Sequence, residues 1–430
     1  MAATVTPPRG MRDFLPAEKA RREHALGVIR GVYSSHGFDE IETPVMEDAS
    51  RLHAGLGGDN EKLAFAVMKR GLTPDDLTAA AASGDALSLA DLGLRYDLTV
   101  PLARFYATHR AALPPVFRSV QIAPVWRAER PQKGRYRQFV QCDIDIIGEA
   151  GQLAELELLT ATVAALDALG LGGCTIRLND RRILQGILGS WGVADELRER
   201  ALITIDKLDK IGTGGVAAEL RDLGIVDEGA DVAAELEALT TADWHLASGV
   251  VPPPSWLDTD AYADLLALRE ALPDADIEFD PTLVRGMGYY TGTIFEIAHP
   301  DFGYSLGGGG RYDGMIGRFL GQDVPACGFS IGFERIVDLL AVRDEGRPRS
   351  VVLVYDPAVE AATLLKLKHE LVASGTRVRF ERRVKNARAL FERVTADGFD
   401  AVANVTPETT DAASLTFRDL TASASGAFRH

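Results

Sequence analysis

Residues 126–141, WRAERPQKGRYRQFVQ, set Arg127, Arg130, Arg135 and Arg137 around a turn containing Pro and Gly, with one acid, Glu129. Arginine suits polyphosphate because its planar fork offers donors to two oxygens at once. Arg127 and Arg135 flank the turn, so a hairpin would aim both at one anion. Glu129 beside them can accept from an exocyclic amine such as that of adenine. In the overlapping segment RQFVQCDIDIIG, the apolar Val140, Cys142, Ile144 and Ile146 alternate with the polar Gln141, Asp143 and Asp145. Period two puts the three polar residues on one face of a strand. A half-solvated strand is the ordinary explanation of such a face. The arginine-rich neighbourhood favours a ligand-facing side.

Two other motifs are decoys. GFSIG at 328–332 matches a nucleophile elbow, but that device needs a strand-turn-helix bend and a downstream His and acid. The only later histidines, His369 and His430, fall in what reads as a separate domain. The run Gly307–Gly310 lacks the Lys-Ser/Thr of a phosphate loop. Four glycines beside a strand are expected to allow a close backbone approach to a ligand.

The elements that must position these residues follow from periodicity. Residues 17–35 read as an amphipathic helix, with Ala25, Val28, Ile29 and Val32 on one stripe. A strand containing Pro44 follows, with the proline at a sheet edge or bend. Strand-like pieces lie around LGLRYDLTV and PPVFRSVQIAPVWRAER, and a helix over 153–169. Residues 175–280 read as a mostly helical insertion with a break at VVPPPSW, between core parts at 1–174 and 281–345. The loop DEGRPRS leads into short strands alternating with helices at 349–430, a small α/β domain. The tail after Leu420 reads as disordered.

Taken together, several segments resemble the histidyl-tRNA synthetase family of class II aminoacyl-tRNA synthetases. ERPQKGRYRQF resembles motif 2, LRYDLTVPLAR the amino-acid-binding segment, LVRGMGYYTGTIFE and GGGGRYDGMIGRF the two histidine-specific motifs, and GFERI motif 3. PRGMRDFLP and FDEIETPVME resemble the N-terminus and motif 1. The resemblance runs from residue 8 to about 340. It implies an α+β fold, an antiparallel sheet with flanking helices, followed by an anticodon-binding-like domain. It also implies histidine, ATP with Mg²⁺ and tRNA(His) as substrates, no tightly bound cofactor, and a cytoplasmic homodimer.

The resemblance further implies roles. Asp97, Leu98 and Thr99 would hold the α-amino group of histidine, and Gln141, Asp145, Tyr289 and Tyr290 its side chain. Arg127 and Arg285 would flank the α-phosphate as catalytic residues. Glu129 would read adenine, Phe139 stack on it, and Arg135 and Arg335 hold the outer phosphates. Outside the family pattern, Asp97 would be a turn cap, the tyrosines core residues, and Arg335 a surface partner of Glu334. One departure is Gly288, where the family's first histidine motif carries an acid before its tyrosine pair.

Composition sets the bounds. A net charge of -16 argues against binding nucleic acid through the whole surface. Two basic clusters stand out, Arg104 to Arg137 (also holding Arg110, Arg118 and Lys133) and Lys366 to Arg393; the second reads equally as a solvated face. Cys142, Cys174 and Cys327 are spaced as reduced core thiols. No apolar run is long enough to span a bilayer, and no signal peptide is visible. Two alternatives stay open: an adenylate-forming paralogue with another acceptor, and a non-catalytic regulatory subunit of ATP phosphoribosyltransferase. The regulator typically lacks the anticodon domain and the ATP-site arginines, whereas Arg127, Arg135, Arg285 and Arg335 are all present here.

Overall fold

The computed structural model describes residues 5–56, 63–132, 134–227, 229–242, 244, 253–286, 288–340 and 348–420. The tail after Leu420, the DEGRPRS loop through residue 347, the start of the VVPPPSW break and Lys133 lie outside the described residues. The chain forms two compact units, Met1–Asp13 with His24–Leu340, and Phe14–Glu23 with Ala341–His430.

The strands of the first unit are β1 (Asp39–Glu40), β2 (Met46–Asp48), β3 (Phe65–Met68), β4 (Ala90–Leu94), β5 (Phe117–Trp126), β6 (Gln138–Ile147), β7 (Thr175–Asp180), β8 (Asp276–Phe279), β9 (Thr293–His299), β10 (Phe302–Arg311) and β11 (Ala326–Ile331). Eight form one sheet in the order β1-β5-β6-β11-β10-β9-β7-β8, and β2-β4-β3 form another. From β5 to β7 every pairing is antiparallel; only the outermost strands, β1 against β5 and β8 against β7, run parallel to their neighbours. The fold is the expected α+β class. Helix Leu153–Ala168 packs Leu158, Leu159 and Ala165 against Ile144 and Ile146 of β6, and Ala25 and Ile29 join the same core.

Several local expectations change. The polar face of β6 is not half-solvated: Asp143 and Asp145 are each 4 % exposed. Only the start of LGLRYDLTV is a strand, because Asp97 accepts the Val100 N–H at 3.1 Å and helix Thr99–His109 begins there. Pro101 in its first turn has no N–H to lose from that helix. The glycines 307–310 lie within β10 rather than beside it. Residues 175–280 hold the helices Arg181–Ser190, Arg198–Ile205, Leu208–Asp222, Val232–Thr241 and Thr259–Ala271, yet β7 and β8 at the two ends belong to the main sheet. Ile176 and Leu178 are fully buried in the core, and that apolar pair anchors β7 to the sheet.

The second unit has a four-stranded sheet, β12 (Ser350–Tyr355), β13 (Arg377–Arg382), β14 (Ala401–Val405) and β15 (Phe417–Asp419), in the order β13-β12-β14-β15. Helices Ala361–Ala373 and Ala387–Ala396 complete an α/β arrangement. Its basic cluster is laced with ion pairs: Arg379 with Glu381 and Asp397, Arg393 with Glu381, and Arg388 with Glu392. That pattern is a solvated face of mixed sign.

Candidate active site

The site grows from the polar face of β6. Register places Gly328 of β11 opposite Asp145 and Ser330 opposite Asp143. A Cβ at 328 would stand 2.0 Å from Asp145 Oδ1, so the backbone there must be glycine for Asp145 to occupy its place. Tyr312, just past β10, donates its hydroxyl to that same oxygen at 2.6 Å. Gln141 donates Nε2 to Ser330 Oγ at 3.0 Å. Asp97 spends one oxygen on the Val100 N–H, while Thr99 Oγ1 and the Tyr289 hydroxyl are 3.4 Å apart. Tyr289 packs on Tyr290 with ring centroids 4.9 Å apart and edge-on to Tyr312 at 5.9 Å.

This end of the site is acidic and buried. Burial raises the pKa of Asp97, Asp143 and Asp145 together, and the neighbouring Asp145 raises Asp143 further. Asp145 is pushed up to about 7 by burial, although the Tyr312 hydroxyl bond lowers it. Asp97 Oδ2 and Gln141 Oε1 are buried with no hydrogen-bond partner among the described residues. Buried acceptors cost free energy until a donor reaches them, so the arrangement favours a cation carrying N–H groups.

The other end is basic. Arg127 donates Nε to the Tyr96 carbonyl at 3.1 Å and lies over the rings of Tyr96 (4.3 Å) and Phe139 (5.1 Å). Its charge lowers the pKa of Asp97 and Asp143, which ties the two ends together. Arg285 donates Nη1 to Glu296 Oε2 at 2.7 Å and crosses Gly308, where a Cβ would meet its Cζ at 2.5 Å. Arg335 donates to the Ser305 carbonyl. Burial lowers its pKa, and so do the charges of Arg135 and Arg285. Three guanidiniums within electrostatic reach of one another make a site for a multiply charged anion.

Hydrogen bonds, ring contacts and charges therefore link the residues singled out from sequence into two adjoining groups: Asp97, Thr99, Gln141, Asp145, Tyr289 and Tyr290 in an acidic one, and Arg127, Arg135, Phe139, Arg285 and Arg335 in a basic one, while Leu98 is fully buried beneath the loop. Glu129 is paired with Arg135 at 3.4 Å. The surface pairing of Arg335 with Glu334 does not occur, because Glu334 is buried, bonds Arg12 and accepts the Val140 N–H at 3.2 Å. Asp97 does act as a turn cap, through the Val100 N–H, and its other oxygen stays open. The basic track is partly spent on structure, since Arg104 pairs with Glu47 and Arg118 with Glu157.

Sequence reasoning missed Tyr312, Glu296, Asp143 and Ser330 as site residues. Asp143 lay on the polar face already recognised, and Tyr312 and Glu296 within the quoted motifs. Ser330 was hidden in the rejected GFSIG match, where it lies in strand β11 and not at an elbow. Among the described residues no helix is long and apolar enough to cross a membrane.

Comparison with known proteins places the chain as a whole. A family model described as histidyl-tRNA synthetase matches residues 10–336. The histidine–tRNA ligase of Leifsonia xyli subsp. xyli is 64% identical over 417 residues, covering 94% of this chain and 96% of that one. The crystal structure of a histidyl-tRNA synthetase from Nostoc sp. PCC 7120 matches with a TM-score of 0.73 and 25% identity, over 97% of this chain and 95% of that chain. A Bacillus halodurans protein described as an ATP phosphoribosyltransferase regulatory subunit/histidyl-tRNA synthetase matches at TM-score 0.70 and 21% identity, over 94% of this chain and 99% of that chain, a likeness of fold alone. With the family model spanning most of the chain and a relative this similar along nearly its whole length, the chain belongs to the histidyl-tRNA synthetase family.

Proposed function

We infer that the chain activates histidine with MgATP and transfers the histidyl group to the 3′ end of tRNA(His). The observation that carries this reading is the bipolar arrangement: Asp97 Oδ2 and Gln141 Oε1, buried and unpartnered among the described residues, adjoin a converging set of arginines. An amino acid brings an ammonium and N–H donors to the first end, and ATP brings phosphates to the second. Asp97 and Thr99 would hold the α-ammonium, with Leu98 shaping the loop between them. Gln141, Asp145 and Tyr290 would bond the imidazole, and Tyr289 would wall the pocket.

The histidine carboxylate oxygen then attacks the α-phosphorus, the bond to the β-phosphate oxygen breaks, and pyrophosphate leaves. Arg127 and Arg285 stabilise charge on the α-phosphate oxygens, which is mostly positioning and electrostatics. Phe139 offers a face to adenine and Glu129 an acceptor to its amine, while Arg135 and Arg335 take the outer phosphates. In the second step the terminal ribose hydroxyl of tRNA attacks the histidyl carbonyl and AMP departs. Residues 349–430 supply an anticodon-binding-like domain in this reading, which also implies a cytoplasmic homodimer.

Histidine-dependent ATP–pyrophosphate exchange, followed by charging of tRNA(His), tests both steps. No exchange would sink the activation step; exchange without charging would give the adenylate another acceptor.

The acidic end makes a pH prediction. In the folded chain Asp145 titrates near 7, so it takes up a proton as pH falls below that value and then loses acceptor capacity toward an imidazole N–H. Because its folded pKa lies above the unfolded value, the folded chain binds the extra proton between about pH 4 and 7. Asp145 therefore makes the fold less stable as pH rises through that window. Tyr312→Phe removes the bond that lowers this pKa. The acidic limb of kcat/KM for histidine should move up by about one pH unit, with activity at pH 9 within a few-fold of the parent. The substrate's own imidazole titration is common to both proteins and cannot move the limb. An unshifted limb would remove Asp145 from imidazole binding.

A further inference from the structure

The loop Gly288–Gly292 carries the tyrosine pair and has a glycine at each end. Glycine leaves such ends conformationally loose unless something outside the loop fixes them. At its far end, the Gly292 carbonyl accepts the backbone N–H of Arg181 at 3.1 Å. At its near end, Gly288 has no side chain, and the space beside it is filled from another element: a Cβ built there would stand 3.2 Å from Glu199 Oε2. The other oxygen of Glu199 accepts Nη2 of Arg181 at 2.6 Å. Arg181 therefore grips one end of the loop through its backbone and, through its guanidinium, holds the carboxylate that abuts the other.

Glu199 lies in the first turn of helix Arg198–Ile205, and an acid there is ordinarily a solvated helix-dipole partner. An exposed ion pair would likewise contribute little. This pair is lopsided: the Arg181 side chain is 7% exposed and that of Glu199 55%. A carboxylate reaching inward to a buried guanidinium at the base of a substrate loop is placed to act on that loop.

We propose that Glu199 is a positioning residue for histidine binding, a carboxylate supplied by a neighbouring helix beside the side-chain-free position 288 to keep Tyr289 and Tyr290 against the pocket. The proposal rests on the histidine pocket described above. Glu199→Ala should raise the KM for histidine in the exchange reaction about five- to tenfold and leave kcat and the KM for ATP within about twofold. Gly288→Asp alone should also raise it, because the new carboxylate would crowd and repel that of Glu199. The double variant Glu199→Ala/Gly288→Asp should return to within about twofold of the parent, the carboxylate now coming from the loop itself.

Deuterium uptake by the 288–292 amides, measured without substrate, reads the same positioning independently of activity. It should quicken about tenfold or more in Glu199→Ala and slow again in the double variant. Parental KM and uptake in Glu199→Ala, or a double variant no better than its parts, would overturn the proposal. If the parent shows no histidine-dependent exchange, the functional reading fails separately, and uptake alone decides whether Glu199 positions the loop.

Discussion

Replacing Arg285 with alanine is expected to lower histidine-dependent ATP–pyrophosphate exchange by about two to three orders of magnitude, a loss of roughly 3–4 kcal/mol of transition-state stabilisation. The structure separates this loss from damage to the fold. The partner of Arg285, Glu296, is also bonded by Arg177 Nη1 at 3.3 Å, so the alanine variant does not strand Glu296. Arg177 is in turn paired with Asp280, which closes the chain of charges. The thermal melt should therefore stay close to the parent's. Arg285→Lys should recover only part of the rate, because an ammonium keeps the charge and loses the planar fork. Exchange within threefold of the parent in the alanine variant would refute the assigned role.

Arg285 also marks where sequence reading stops. Its type and its place beside the tyrosine pair were legible, as was the polar face of β6, because an alternation of period two survives any tertiary context. Partnership was not legible. That Glu296 serves both Arg285 and Arg177 depends on the pairing of β9 with β7, which aligns Arg177 with Glu296 across strands far apart in the chain. The bond from Tyr312 to Asp145 likewise needs β10, β11 and β6 to lie side by side. Residues 175–280 read as an insertion because helical composition dominates the average, while six-residue β7 and four-residue β8 are too short to alter it. Glu199 had no sequence signal at all, since a glutamate opening a helix is unremarkable until Gly288 is found beside it.

The glycines of β10 give the second large effect, and neighbouring positions should fail in different ways. At Gly308 an added methyl meets the guanidinium of Arg285, the mobile end of a long side chain. At Gly309 it meets the Gly328 carbonyl oxygen at 1.9 Å and Phe329 Cα at 2.8 Å, backbone of the adjacent strand that cannot move without breaking the β10–β11 ladder. Gly308→Ala should therefore fold, melt near the parent temperature, and lose exchange by about one to two orders of magnitude through displacement of Arg285. Gly309→Ala should lose about 3 kcal/mol or more, visible as poor soluble yield and a lowered denaturation midpoint. Combining Gly308→Ala with Arg285→Ala makes the distinction sharper. If position 308 acts through Arg285, the double variant exchanges no more slowly than Arg285→Ala alone, whereas independent damage would multiply the two losses. The four-glycine run is then two devices in one strand: glycine at 309 lets the sheet close, and glycine at 308 leaves Arg285 its place above it.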